Sequence, residues 1–183
     1  MAHKAATTHV LVLTGPVGVG KTTVASALSG LLDHTGIPHA LIDMDWLRWC
    51  HPTPADDPFH MALGLRNLAA VWGNYQAVGA RRLILVDIVE TREALADYHT
   101  AIPDASIQVV RLQATLPTIL QRLRGRESGA SLAWHEQRAG ELARLMEEEL
   151  VEDLLVDTEG KTVEEIALEV LTRTGWAGPI DLY

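Results

Sequence analysis

Hydrophobic and polar positions along the chain follow two alternating rhythms. Short runs with an apolar centre recur at His9–Thr14, His39–Asp45, Arg81–Asp87, Ser106–Leu112 and Asp153–Asp157. Each is strand-sized, and most lack the in–out alternation of a sheet with one wet face, so they read as strands covered on both sides. Between them, apolar residues return every three or four positions. The first such stripe is Val24, Ala25, Leu28, Leu31 and Leu32, ended by Gly36 and Pro38. A second is Met61, Leu65, Leu68, Trp72 and Tyr75, in a helix predicted from about Phe59 and closed by Gly79. Thr91 starts a short helix through Tyr98, and Thr115 with Pro117 starts another that reaches Arg124. A long helix is predicted from Trp134 to Glu149. The last begins at the capping box Thr162-Val163-Glu164-Glu165 and turns Val163, Ile166, Ala167, Val170 and Leu171 inward. Strands alternating with helices predict a doubly wound α/β domain with a parallel sheet.

The junction between the first strand and first helix carries the clearest chemistry. Gly15-Pro16-Val17-Gly18-Val19-Gly20-Lys21-Thr22-Thr23 contains G-x-x-x-x-G-K-[ST] without mismatch, in the strand–turn–helix context that the motif requires. Glycines let the backbone approach an oxygen closely, and the N–H groups of about Gly18 to Thr23 then converge at the positive end of a helix dipole. Lys21 adds a charge for the β- and γ-phosphates, and the Thr22 hydroxyl is suited to Mg²⁺. The stretch implies nucleoside triphosphate binding.

Composition adjusts this picture only modestly. The 183 residues suit one domain, 1–183, and an apolar content of 48% is ordinary for a globular chain. A net charge of −9 argues against nucleic acid as the principal partner, since a phosphate backbone needs a basic face. Only Lys4, Lys21 and Lys161 are lysines among fifteen basic residues, which makes a lysine inside the glycine motif less accidental. A single cysteine, Cys50, excludes an internal disulfide framework and fits a reducing compartment. No apolar run approaches a membrane span, and residues 1–8 lack the apolar core of a signal peptide. The expectation is a cytoplasmic protein, monomer or homodimer, acting on a small molecule, with no membrane and no zinc site.

Three further patterns carry a resemblance. Asp43-Met44-Asp45 places carboxylates at i and i+2, on one side of an extended chain. Asp87 ends an otherwise apolar strand. Arg122-Leu123-Arg124-Gly125-Arg126 precedes a stretch rich in glycine and serine, 125–131. Together with the glycine motif and the order of elements, these resemble the nucleoside-monophosphate-kinase-like group of P-loop proteins, and within it the shikimate-, gluconate- and adenylylsulfate-kinase-like enzymes. The resemblance implies a five-stranded sheet in the order 2-3-1-4-5 with an arginine-bearing lid at about 125–140, and ATP and Mg²⁺ as cofactors. It implies ATP-dependent phosphotransfer to a small-molecule hydroxyl or phosphate. Gly15, Val17, Gly18, Val19, Gly20, Lys21, Thr22 and Thr23 would hold the triphosphate, with Arg122 on the adenine and Arg126 on the phosphates. Asp43, placed first, or Asp45 would serve the acceptor; Thr22 and Asp87 would serve the metal. Lys21, Asp43, Asp45 and Arg126 are the catalytic candidates.

Trp46, Arg48, Trp49 and the helix bearing His60, Arg66, Asn67 and Tyr75 would build the acceptor pocket. Arg138 is a weaker candidate for the arginine cluster. The segment Ile88-Val89-Glu90-Thr91-Arg92 departs from the D-G-F-P-R of adenylate kinases, which disfavours a nucleotide acceptor. The competing reading is a non-catalytic nucleotide switch, against which no N-K-x-D motif is found.

Overall fold

The computed structural model describes residues 7–176. The expectation about the N-terminal segment therefore rests mostly on residues outside this range. Five parallel strands, β1 (Thr8–Thr14), β2 (His39–Asp43), β3 (Arg82–Val86), β4 (Ala105–Gln113) and β5 (Leu154–Asp157), form one sheet in the order β2-β3-β1-β4-β5. This is the order anticipated. The helices are α1 (Lys21–His34), α2 (Met44–Arg48), α3 (Met61–Ala77), α4 (Leu95–Ala101), α5 (Leu116–Arg124), α6 (Gly129–Glu149) and α7 (Val163–Thr174), with a 3₁₀ turn at Arg92–Ala94 before α4. No helix among the described residues is long and apolar enough to cross a membrane.

Alternate residues of the central strand explain why it is apolar throughout. Leu11 and Leu13 pack with Ala25, Leu28 and Leu32 of α1 and Ala167, Val170 and Leu171 of α7. Val10 and Val12 point the other way, into a cluster with Leu68 and Trp72 of α3 and Tyr98 of α4. A period-2 side-chain alternation with both faces covered leaves no position for a polar residue. A third, small cluster of Ile119, Leu123 and Ala139 joins α5 to α6.

Three boundaries differ from the sequence expectation. β2 stops at Asp43, because its carboxylate accepts the Asp45 N–H at 3.1 Å and caps α2. The chain turns there, so Asp43 and Asp45 do not share one side of a strand. α3 starts at Met61, where Asp57 accepts the N–H groups of Met61 (2.6 Å) and Leu63 (3.0 Å). Its buried stripe is Gly64, Leu68 and Trp72, leaving Met61 and Tyr75 exposed at the two ends. Finally, α6 begins five residues earlier than predicted, at Gly129, which shortens the glycine- and serine-rich stretch to a tight turn.

Candidate active site

The carboxyl ends of β1, β2 and β3 meet at one cavity, where open α/β sheets place their ligands. It has a volume of about 300 Å³ and is lined by the Val17–Thr23 turn, Asp43, Asp45, Asp87, Ile88, Arg126, Trp134 and His135 among others. The turn is held open by glycine. Gly15 adopts φ +142°, and a Cβ there would lie 2.5 Å from the Leu112 carbonyl oxygen. Lys21 folds back over the turn and donates to the carbonyls of Gly15 (2.9 Å) and Pro16 (3.2 Å). Burial pushes the Lys21 ammonium down to about 8, with Asp45, Asp87 and Asp43 working in the opposite direction.

The two carboxylates after β2 are engaged differently. Asp43 accepts the Thr22 hydroxyl at 2.8 Å through one oxygen and caps α2 with the other. Asp45 has no side-chain partner and faces the cavity. Its carboxyl is raised above the ordinary aspartate value by desolvation first, then by the nearby charges of Asp43 and Asp87.

Asp87 departs furthest from expectation. Arg48 grips it with both terminal nitrogens, at 2.7 and 2.6 Å, the Ile88 N–H adds a bond of 2.8 Å, and the Tyr98 hydroxyl donates to Oδ2. A carboxylate offers about four lone-pair sites, so Asp87 is saturated by protein donors. Its side chain is 1% exposed. As a metal ligand it is therefore poorly placed: a cation would have to displace a bidentate guanidinium or the buried tyrosine. Burial and the Asp87 charge in turn hold the Tyr98 phenol well above its usual value. Gly64 makes room for the network, since a Cβ there would lie 2.8 Å from Arg48 Cγ. Thr14 fixes the same corner by accepting the Val89 N–H at 2.9 Å.

The lid arginines separate into two places. Arg126 lines the main cavity with its side chain 57% exposed, and its Nε donates to Glu127 at 3.0 Å. Arg122 instead donates to the Val19 carbonyl (2.9 Å) and the Thr158 hydroxyl (3.2 Å). It lines a second cavity of about 180 Å³ with Val19, Gly20, Thr23, Val24 and Lys161, beside the N-terminus of α1. Arg138 lies outside both cavities, paired with Glu90 and Glu141.

None of the residues expected to build the acceptor pocket, Trp46, Arg48, Trp49, His60, Arg66, Asn67 and Tyr75, lines the main cavity. Asn67 ties α3 to α2 by donating to the Leu47 carbonyl at 2.8 Å. Trp46 and Trp49 stack on one another at 5.3 Å and stay exposed. Trp134 and His135, which sequence reasoning did not assign, do line it. Nor was the pairing of Asp87 with Arg48 and Tyr98 anticipated. The one local signal was Gly64, a glycine inside a helix, which marks a close approach.

No protein-family model matches the sequence, and a search of curated proteins finds no match either. Solved structures do match. A sugar kinase from Janibacter sp. HTCC2649 has 24% identity and a TM-score of 0.63, covering 93% of this chain and 96% of its own. APS kinase from Mycobacterium tuberculosis, solved in complex with AMPPNP and APS, has 22% identity and a TM-score of 0.56, covering 92% and 98%. Shikimate kinase from Acinetobacter baumannii, in complex with shikimate, has 18% identity and a TM-score of 0.56, covering 93% and 94%. The glycine motif on its strand–turn–helix, the 2-3-1-4-5 parallel sheet and these whole-chain matches agree on one conclusion: the chain has the fold of the P-loop small-molecule kinases.

Proposed function

We propose that this chain is an ATP-dependent phosphotransferase acting on a small-molecule acceptor hydroxyl. The observation that carries the proposal is the division of labour between Asp43 and Asp45. One aspartate is bonded to the motif threonine, while the other stands unpartnered across the cavity with a raised carboxyl. A nucleotide switch has no use for a second, free carboxylate facing its triphosphate cradle. The kinases that share the fold support the same reading.

In this reading the backbone N–H groups of Gly18 to Thr23 hold the triphosphate at the start of α1. Lys21 exchanges its bonds to Gly15 and Pro16 for the β- and γ-phosphate oxygens, a rearrangement of its side chain alone. Arg122, in the cavity beside α1, flanks the adenine with its planar guanidinium. Thr22 and Asp43 are the residues whose oxygens fit Mg²⁺, Thr22 directly and Asp43 through its hydrogen bond or a water. Held there, such an ion would supply charge neutralisation for the transferring phosphates. Asp87 is assigned to structure instead, because its lone pairs are taken.

Asp45 orients the acceptor hydroxyl and accepts its proton as the oxygen bonds to the γ-phosphorus. The bond from that phosphorus to the β-bridging oxygen breaks, and ADP leaves. A raised carboxyl suits the task, since a stronger base accepts the proton more readily. Arg126 swings from Glu127 onto the transferring group, where its forked donors stabilise equatorial oxygens. The test is ADP release with ATP and Mg²⁺ against a library of hydroxylated metabolites that includes gluconate and shikimate. Stimulation well above basal hydrolysis by at least one compound supports the proposal. Turnover indifferent to every acceptor, with nucleotide bound tightly, favours the switch reading.

A further inference from the structure

The charge inventory of the cavity constrains its acceptor. Two lysine or arginine side chains line it, Lys21 and Arg126, and the proposed mechanism commits both to phosphate oxygens; His135, which also lines it, is paired with Glu127. Arg48, the next basic residue in the network, has both terminal nitrogens on Asp87 and its Nε buried against α3. Arg138 is paired with Glu90 and Glu141 and lies outside the cavity, as does Arg66. On the acceptor side stand Asp43 and Asp45. An acceptor carboxylate, sulfate or phosphate placed near Asp45 would meet two like charges and no uncommitted cation among the described lining residues.

The apolar inventory points to what the acceptor carries instead. Trp134 lines the cavity and is 58% exposed. Trp46 follows Asp45 directly in α2 and is 69% exposed, stacked nearly parallel on Trp49. Trp46 and Trp49 lie outside the cavity lining, so Trp134 is the exposed indole that the described lining presents. Indole faces exposed beside a polar cleft are a surface on which a flat ring stacks.

We infer, building on the phosphotransferase reading, that the acceptor is an uncharged alcohol bearing an aromatic or similarly planar ring, with its hydroxyl at Asp45 and its ring against Trp134. This is a different substrate class from an anionic sugar acid or an acyl sulfate. Rejection of anions then needs no separate device, since the absence of a free cation already disfavours them.

The test uses a matched trio on one scaffold: 3-phenyl-1,2-propanediol (neutral), 3-phenyllactate (anionic) and phenylalaninol (cationic). Binding of each to the full chain saturated with AMPPNP and Mg²⁺ is followed by ligand-observed NMR titration. The neutral diol should bind at least tenfold more tightly than phenyllactate and more tightly than phenylalaninol. Trp134→Ala, at an exposed position and checked for folding by circular dichroism, should weaken the diol at least fivefold, whereas Trp46→Ala, outside the lining, should leave it within about twofold. Preference for phenyllactate, tenfold preference for phenylalaninol, failure of all three to bind, or indifference to Trp134→Ala overturns the inference. ADP release is then measured separately with the diol. Selective binding without any ADP release leaves this inference standing and counts against phosphotransfer.

Discussion

Breaking the Arg48–Asp87 pair should cost stability and spare magnesium dependence. Replacing Arg48 with methionine removes two of the four donors that satisfy Asp87, whose side chain is only 1% exposed. The remaining Ile88 N–H and Tyr98 hydroxyl cannot compensate for the lost positive charge. Removing one partner of a buried pair typically costs about 3–5 kcal/mol, because a charge is left uncompensated. For a chain of this size each kcal/mol lowers Tm by about 2–4 °C, so a fall of roughly 6–20 °C is expected. Tyr98→Phe, which deletes one hydrogen bond to the charged carboxylate, should cost less, about 1.5–3 kcal/mol. The double variant Arg48→Met with Asp87→Leu removes both charges and should recover to within about 1–2 kcal/mol of the parent. Urea denaturation followed by far-ultraviolet circular dichroism, in EDTA and without nucleotide, measures all of these. If Arg48→Met unfolds with the parent while Asp87→Asn raises the Mg²⁺ needed for ATP-analogue binding, Asp87 is a metal-site residue and the structural assignment fails.

Three other outcomes follow from the geometry. Lys21 has its pKa near 8, so its charged fraction falls about tenfold between pH 7 and pH 9, and AMPPNP affinity should weaken by about that factor over the same interval; a pH-independent affinity, or unchanged ADP release in Lys21→Ala, contradicts its role. Gly15→Ala would put a Cβ 2.5 Å from the Leu112 carbonyl at φ +142°, so it should lower stability by about 2 kcal/mol or more and weaken nucleotide binding, both read by thermal melts with and without AMPPNP. Hydrogen exchange of residues 125–133 should slow when AMPPNP and Mg²⁺ are added, because Arg126 leaves Glu127 for the phosphates; equal protection in both states leaves Arg126 as a surface charge.

The parts of this molecule that are local in sequence were also legible in sequence. The glycine motif needs contiguous residues, so a nine-residue window contains its cradle. The strands announced themselves because both faces of β1 are covered, by α1 and α7 on one side and α3 and α4 on the other. Asp43 and Asp45 both line the cavity, yet the geometry expected of their spacing is not the one observed. An i, i+2 spacing says one face only while the chain stays extended, and an aspartate that caps a helix ends the strand itself. The partners of Asp87 were missed for a different reason. They sit 39 and 11 residues away on α2 and α4, and no window on one sequence links a strand-end aspartate to a particular arginine and tyrosine. The earlier start of α6 has a similar cause: the α5–α6 cluster of Ile119, Leu123 and Ala139 stabilises a helix whose first turn, Gly129-Ala130-Ser131, has weak propensity.

The central claim is that Asp45 acts on an acceptor hydroxyl across from a triphosphate held by the glycine turn. Asp45→Asn keeps the side chain's size and removes its basicity. With Mg²⁺ present, calorimetric titration of this variant with AMPPNP should give an affinity within about twofold of the parent, since Asp45 touches neither the turn nor Thr22. Acceptor-dependent ADP release, measured with the compound that best stimulates the parent, should fall by about 10²–10⁴-fold, the range for a lost general base. An Asp45→Asn protein that releases ADP at the parental rate contradicts the claim, and so does one that loses AMPPNP affinity in proportion to its activity.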